Sequence, residues 1–252
     1  MIRLAVIVCF LAGPAFALKC QNDSFKGISF SQCEVTLHQD DIRLFLRDDT
    51  GAMLGYFPTL REYLANQNLN LLFAMNAGMY RPDYSPAGHF VEEGQEIRHV
   101  MTRPGPGNFG LLPNGILCIT ENRVDVYETQ AFLRRSPSCR FATQSGPMLV
   151  IDGTLHPKFT ITSKSKFIRN GVGTTSDGQK AFFVISNAPL TLHMFGRYFK
   201  DHLNLKSALY LDGNVSHLYA PVINRRDFGR KLGPMIGVVG PVKKNNNRAR
   251  LK

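Results

Sequence analysis

Tryptophan is absent from the 252 residues, and acidic side chains are scarce: 19 Asp and Glu stand against 30 Lys and Arg, a formal charge of +11. No Cys-x-x-Cys pair occurs, which argues against a thioredoxin-type redox site or a zinc ribbon. The phosphate-cradling P-loop, the Gly-x-Ser-x-Gly nucleophile elbow and the His-Glu-x-x-His zinc motif are all missing. The seven His are scattered, with no metal-ligand spacing among them. Beyond residue 18 there is no apolar run of the roughly 20 residues that a spanning helix needs. A hydrophobic share of 44% excludes a disordered chain and leaves a globular one with ample core.

What is present begins with an export signal. Met1-Ile2-Arg3 is a short positive start, Leu4 to Gly13 is apolar throughout, and Pro14 breaks the run. Ala15-Phe16-Ala17 then offers small residues where a signal peptidase reads, so residues 1–17 are expected to be cleaved. The apolar stretch ends at Lys19, too early for a membrane anchor, and Lys19 before Cys20 is wrong for lipoprotein processing. Loss of Arg3 leaves the mature chain at +10. Five of those cations sit in the last ten residues, within a polar tail at 241–252 that reads as solvated and disordered. The expected organisation is therefore a signal (1–17), one domain (18–240) and the tail, in a periplasmic or secreted protein. Export, and the lack of a basic–aromatic stripe, favour anionic envelope material over nucleic acid as partner.

Cysteine usage agrees with export. Cys9 leaves with the signal, and Cys20, Cys33, Cys118 and Cys139 allow three pairings. Cys20–Cys33 and Cys118–Cys139 are favoured, because each closes a short loop around turn residues.

Along the mature chain the pattern is mostly of period two. Ile42–Arg47 and Met53–Phe57 read as paired strands about an Asp48–Gly51 turn, and Pro58 opens a helix that runs to about Asn68. Strands follow at Leu71–Met75, His89–Glu92, Glu96–Val100 and Val124–Glu128, with a hairpin expected over Pro113-Asn114-Gly115. In the second half, strands are expected at Pro147–Ile151, Gly171–Thr175, Lys180–Ser186 and Ala208–Leu211. A long helix is expected over Leu190–Leu203, with Leu192, Phe195, Phe199 and Leu203 on one face. No internal repeat or linker interrupts this. The class expected is α+β, a single domain of mixed, mostly antiparallel sheet with few helices. Gly105 to Gly110 matches the dinucleotide spacing GxGxxG, but the Leu111–Gly115 segment after it is no helix, so a loop is expected.

Four segments share one form, an apolar strand running into small polar turn residues. They are Asn76-Ala77-Gly78, Gln144-Ser145-Gly146-Pro147, Arg169-Asn170-Gly171-Val172-Gly173 and Asp212-Gly213-Asn214-Val215-Ser216. Glycine there lets the backbone turn and lets a ligand approach the main chain. Amide, hydroxyl, guanidinium and carboxylate suit a sugar and a phosphate. In this order the blocks resemble the phosphodiester glycosidase family, whose pattern runs Asn-Gly-Gly-aromatic, Ser-Gly-Pro, Arg-x-x-x-Gly and Leu-Asp-Gly-Gly-x-Ser. The counterparts are Asn76 with Gly78 and Tyr80, Ser145-Gly146-Pro147, Arg169 with Gly173, and Leu211-Asp212-Gly213 with Ser216. The resemblance covers about residues 70 to 240. Ala77 and Asn214 depart from it, each standing where the family has Gly.

The resemblance implies hydrolysis between a sugar's anomeric carbon and a phosphodiester, releasing a phosphomonoester. Such a leaving group tolerates negative charge, its second pKa being about 6, so one carboxylate beside a cation replaces the usual carboxylate pair. Asp212 is the expected catalytic carboxylate and Arg169 the expected cation at phosphate. Asn76, Gly78, Ser145, Gly146, Gly213 and Ser216 are the expected substrate-binding positions. Glu92, Glu93, Asp152 and Asp177 are weaker candidates for a second carboxylate, each read first as a solvated turn residue. No cofactor is required; a divalent metal at the phosphate is allowed but not indicated. A second reading makes the same cleft a non-catalytic carbohydrate- or polyanion-binding site of an envelope protein. A third holds a structural protein in the envelope by its basic tail.

Overall fold

The computed structural model describes residues 18–213 and 215–242. The expected signal, Asn214 and residues 243–252 of the expected tail lie outside the described residues. Strands β1 (Lys19–Phe25), β2 (Ile28–Thr36) and β3 (Asp41–Phe45) lead to helix α1 (Phe57–Asn66) and β4 (Leu69–Asn76). Next come β5 (Phe90–Glu92), β6 (Gln95–Arg98), β7 (Gly115–Ile119), β8 (Val124–Glu128) and α2 (Thr129–Arg135). They are followed by β9 (Phe141–Ser145), β10 (Met148–Ile151), β11 (Thr154–Leu155), β12 (Asn170–Thr174) and β13 (Lys180–Ser186). Helix α3 (Leu192–Arg197), with a π-turn at Tyr198–His202, precedes β14 (Ser207–Tyr210), β15 (Leu218–Ala220), β16 (Arg225–Arg226) and β17 (Met235–Pro241).

The strands form three sheets, in the orders β1-β2-β13-β12-β14-β10-β11, β16-β15-β4-β17-β3 and β6-β5-β9-β7-β8. Their pairings are antiparallel, so the expected α+β class holds. The three sheets face one shared core. Phe183 and Ile185 of β13, Phe73 and Met75 of β4, and Leu117 and Ile119 of β7 all point into it. Intervening residues point outward, and each sheet's back is covered by one helix. Leu60 and Leu64 of α1 lie on Ala74, Phe132 of α2 on Ile116, and Phe195 and Phe199 on Val184. Strands buried on both faces read as continuous apolar runs, and for that reason the sequence shows them clearly.

Both expected disulfides form. Cys20 and Cys33 sit directly opposite on β1 and β2, and Cys118 of β7 reaches Cys139 beyond α2. Three local expectations are corrected. Met53 makes only a single bridge to Arg47, and Phe57 already begins α1, because Pro58 suits a helix's first turn. No hairpin turns at Asn114; its side chain is fully buried, accepting from Thr129 Oγ1 at 2.7 Å and donating to the Phe109 carbonyl at 3.2 Å. The long helix starts later, at Leu192, with the Thr191 hydroxyl accepting from Met194 N, and widens at Tyr198. The wider turn brings Tyr198 as well as Phe199 onto the sheet, while Leu192 and Leu203 are only partly buried. The segment after Gly110 is loop and strand, with no helix to hold a pyrophosphate.

Candidate active site

The four polar segments converge. Asn76 ends β4 in one sheet and Asn170 opens β12 in another, and the two amides meet where these sheets touch. Asn76 Nδ2 donates to Asn170 Oδ1 (3.2 Å), and Asn170 Nδ2 donates to the Asn76 carbonyl (3.1 Å). Between them they clasp the residue after β14 and Leu211: Asp212 N donates to Asn170 Oδ1 (3.2 Å) and Asn76 Nδ2 to the Asp212 carbonyl (3.3 Å). Asn76 Oδ1 also accepts from His217 N at 2.9 Å. Ser145 Oγ donates to the Leu211 carbonyl, and Ser216 Oγ lies 2.9 Å from the Asp212 carbonyl and 3.1 Å from that of Ile168. Asn76, Ser145 and Asn170 are all buried. Their polar atoms hold the Asp212 turn in place from inside the wall.

Asp212 itself is half-buried and lines a cavity of about 210 Å³ together with Met79, Asn108, Phe167, Tyr210 and Gly213. That is smaller than the roughly 300–1,000 Å³ of drug-sized sites and suits a single sugar ring. Gly213 is obligatory here: a Cβ would fall 1.6 Å from the Tyr210 hydroxyl. Gly78 and Gly146 meet a different constraint, since a Cβ would lie 2.3 Å from the Gln144 carbonyl oxygen or 2.8 Å from Asn114 Cβ. Those two glycines let neighbouring segments pack rather than face the cavity.

Arg169 is 1% exposed. Its Nε donates to the Leu190 carbonyl (2.7 Å), Nη2 to the Ser165 carbonyl (3.0 Å) and Nη1 to the Tyr210 hydroxyl (3.1 Å). The guanidinium also packs 5.5 Å from the Phe167 ring centroid and 5.3 Å from that of Tyr210. Its fork thus stands behind Tyr210, and Tyr210 is the group that reaches the cavity. The Tyr210 hydroxyl is pushed up to about 12, by burial first and by the Asp212 charge, against the opposing pull of Arg169. It is therefore a neutral donor at ordinary pH. Because Arg169 fills one of its lone pairs, its proton is left to point elsewhere.

Residues 70–239 match the phosphodiester glycosidase (NAGPA) family, a span holding all four segments. The chain belongs to the phosphodiester glycosidase family. The chain is 37% identical over 210 residues to the uncharacterised protein YigE of Escherichia coli (strain K12), covering 82% of this chain and 81% of that one. Its fold is similar to the zebrafish N-acetylglucosamine-1-phosphodiester alpha-N-acetylglucosaminidase catalytic domain, whose structure is auto-inhibited by its pro-peptide. That likeness has a TM-score of 0.58 at 13% identity, covering 91% of this chain and 85% of the other. A protein of Burkholderia pseudomallei K96243, named for its predicted export, shares the fold at a TM-score of 0.50 and 11% identity, with 84% and 74% covered.

Three participants escaped the sequence reading. Tyr210 sits within an apolar strand and reads as core; Asn108 sits in the loop set aside with the GxGxxG spacing; Asn170 adjoins the arginine that drew attention. Among the weaker carboxylates, Glu93 pairs with Arg140 (2.8 Å), while Asp152 (φ 46°) and Asp177 occupy turns. No group of three or more His, Cys, Asp or Glu that could hold a metal occurs among the described residues.

Glu92 differs from the other three. Burial beside β3 pushes its carboxyl up to about 7, against a hydrogen bond from Leu46 N. It does not line the Asp212 cavity. With a folded value above the unfolded one, the native state holds this proton more tightly. The charge therefore costs stability as pH rises from about 4.5 to 7. Glu92→Gln is expected to raise unfolding free energy at pH 8 by about 1–2 kcal/mol, discounted for partial solvent access. The gain should vanish near pH 4.5; urea melts at the two pH values check it.

Proposed function

We propose that this protein is an exported glycosidase that cleaves the bond between a sugar's anomeric carbon and a phosphodiester in envelope or extracellular glycans. The observation that carries this reading is the cavity wall, which one carboxylate, Asp212, shares with Tyr210, whose hydroxyl is backed by Arg169. A two-carboxylate glycosidase needs an acid for the leaving oxygen. A phosphomonoester leaves as an anion, so a polarised hydroxyl suffices to stabilise it.

In the reaction, the C1–O bond to phosphate breaks with its electron pair going to the phosphate oxygen. Water supplies the oxygen that replaces it on C1 and gives up a proton. Asp212 acts as the carboxylate at the anomeric carbon. Tyr210 donates a hydrogen bond on the phosphate side, and Arg169 acts through Tyr210 as a positioning residue. The half-exposed Phe167 ring offers its face to the sugar. Membership of the family and the paired disulfides support a hydrolase of an oxidising compartment.

The test is to incubate the full mature chain with a panel of glycosyl 1-phosphodiesters and measure free sugar and phosphomonoester. Stoichiometric release of both is expected. Binding of the panel without release supports the carbohydrate-binding alternative, and release in the presence of a chelator separates the reaction from metal assistance.

A further inference from the structure

The loop that carries the GxGxxG spacing has no helix behind it, yet it is fixed to the domain at both ends. At its start the buried Gln144 brackets Met101: Met101 N donates to Gln144 Oε1 (2.9 Å), and Gln144 Nε2 donates to the Met101 carbonyl (2.7 Å). Towards its end the buried Asn114 donates to the Phe109 carbonyl, and the Phe109 ring lies against Gly88, where a Cβ would come 2.6 Å from its Cζ. Between these anchors the loop is pinched. A Cβ on Gly110 would fall 2.0 Å from the Gly105 carbonyl oxygen, and Gly107 turns the chain at φ 67°. The Asn108 carbonyl accepts from Leu111 N at 3.3 Å and sits 3.2 Å from the place of a Cβ on Gly146. The loop is thus a strap seated on the Gln144–Pro147 segment, whose Ser145 already holds the Leu211 carbonyl.

What the strap delivers to the site is one side chain. Asn108 is exposed at the rim and lines the cavity together with Tyr210, Asp212 and Gly213. Its amide hydrogen-bonds the Tyr210 hydroxyl. Burial holds that hydroxyl's value up, while hydrogen bonds from Arg169 and from Asn108 both draw it down, the mark of groups that donate to the phenol oxygen. Gly213 closes a further direction, since the hydroxyl takes the space where its side chain would start. A phenol has one proton to give and turns it to suit its neighbours. With Arg169 and Asn108 both donating to the oxygen, the proton is denied those two directions, and the open one is the cavity.

We propose that Asn108 is a positioning residue of this site: its amide fills the second acceptor direction of Tyr210, so that the tyrosine proton is aimed at the departing phosphate before the substrate arrives. A donor already turned towards the developing charge needs no reorientation as the bond breaks. The strap that anchors Asn108 is therefore part of the machinery on the leaving-group side. This inference rests on the reaction proposed above for the same site.

Two double-mutant cycles on the full mature chain test it. Asn108→Ala keeps the bonds that Gln144 and Asn114 make to the strap, and circular dichroism confirms that the variant is folded. In the first cycle, Asn108→Ala is expected to lower kcat for a glycosyl 1-phosphodiester about tenfold while KM changes by about twofold or less. Once Tyr210→Phe has removed the hydroxyl, the same substitution is expected to change kcat by about twofold or less. A side chain that merely shapes the strap would act equally in both backgrounds. Equal effects, or an unchanged kcat in Asn108→Ala alone, overturn the proposal. The second cycle reads binding without turnover and decides the matter if the parent chain releases no sugar. Calorimetry with glycerol phosphate is expected to show about fivefold weaker binding in Asn108→Ala, and no such loss in the Tyr210→Phe background. That coupling, with no sugar released, keeps the positioning and overturns the reaction instead; no coupling there overturns the positioning.

Discussion

Asp212→Asn is expected to lower kcat by about a thousandfold or more, which corresponds to about 4 kcal/mol of lost transition-state stabilisation. The Asp212 backbone is clasped by Asn76 and Asn170 through its own N–H and carbonyl, so the turn should survive loss of the side-chain charge. Dissociation constants for a glycosyl 1-phosphodiester should therefore stay within a few-fold of wild type. Single-turnover kinetics and equilibrium binding on the same preparation separate the two effects. A variant as active as wild type would remove Asp212 from the chemistry. Tyr210→Phe provides the contrast. It keeps the ring that packs on Arg169 but deletes the donor, and a drop of about 10- to 100-fold is expected, smaller than for Asp212 because the phosphate leaves readily as an anion.

The second large effect falls on stability. Asn170 is fully buried; its Oδ1 accepts from Asn76 Nδ2 and Asp212 N, and its Nδ2 donates to the Asn76 carbonyl. Asn170→Ala strips these bonds and leaves the partners without water to replace it, a change of about 3–4 kcal/mol. For a domain of this size that corresponds to a fall in Tm of about 6–16 °C. Thermal melts with both disulfides kept oxidised measure it. A shift near zero would mean that the two sheets are joined mainly by their shared apolar core.

The sequence exposed the strands well where alternate residues serve two cores. Ala181, Phe183 and Ile185 face the shared core and Phe182 and Val184 face α3, so β13 reads as an uninterrupted apolar run. It concealed the widened turn at Tyr198, because helical spacing assumes one geometry throughout and an extra residue per turn leaves no compositional mark. Asp212 stood out as a charged residue directly after a buried strand, and the structure places it in the cavity wall. Arg169 was legible as a residue but not as a role: a guanidinium has the same sequence signature whether its fork faces a ligand or a neighbouring hydroxyl. Tyr210 was hidden by its strand, and the Asn76–Asn170 contact by distance along the chain, since nothing local indicates that two amides 94 positions apart will touch.

The amide clasp between two sheets also carries a kinetic consequence. Each half of it is made in a different sheet, and neither sheet alone can fix Asp212. A refolding chain can thus acquire most of its strand pairing while remaining inert towards substrate. Recovery of turnover should lag behind recovery of far-ultraviolet dichroism, and the lag would time the moment at which the separate layers close upon one another.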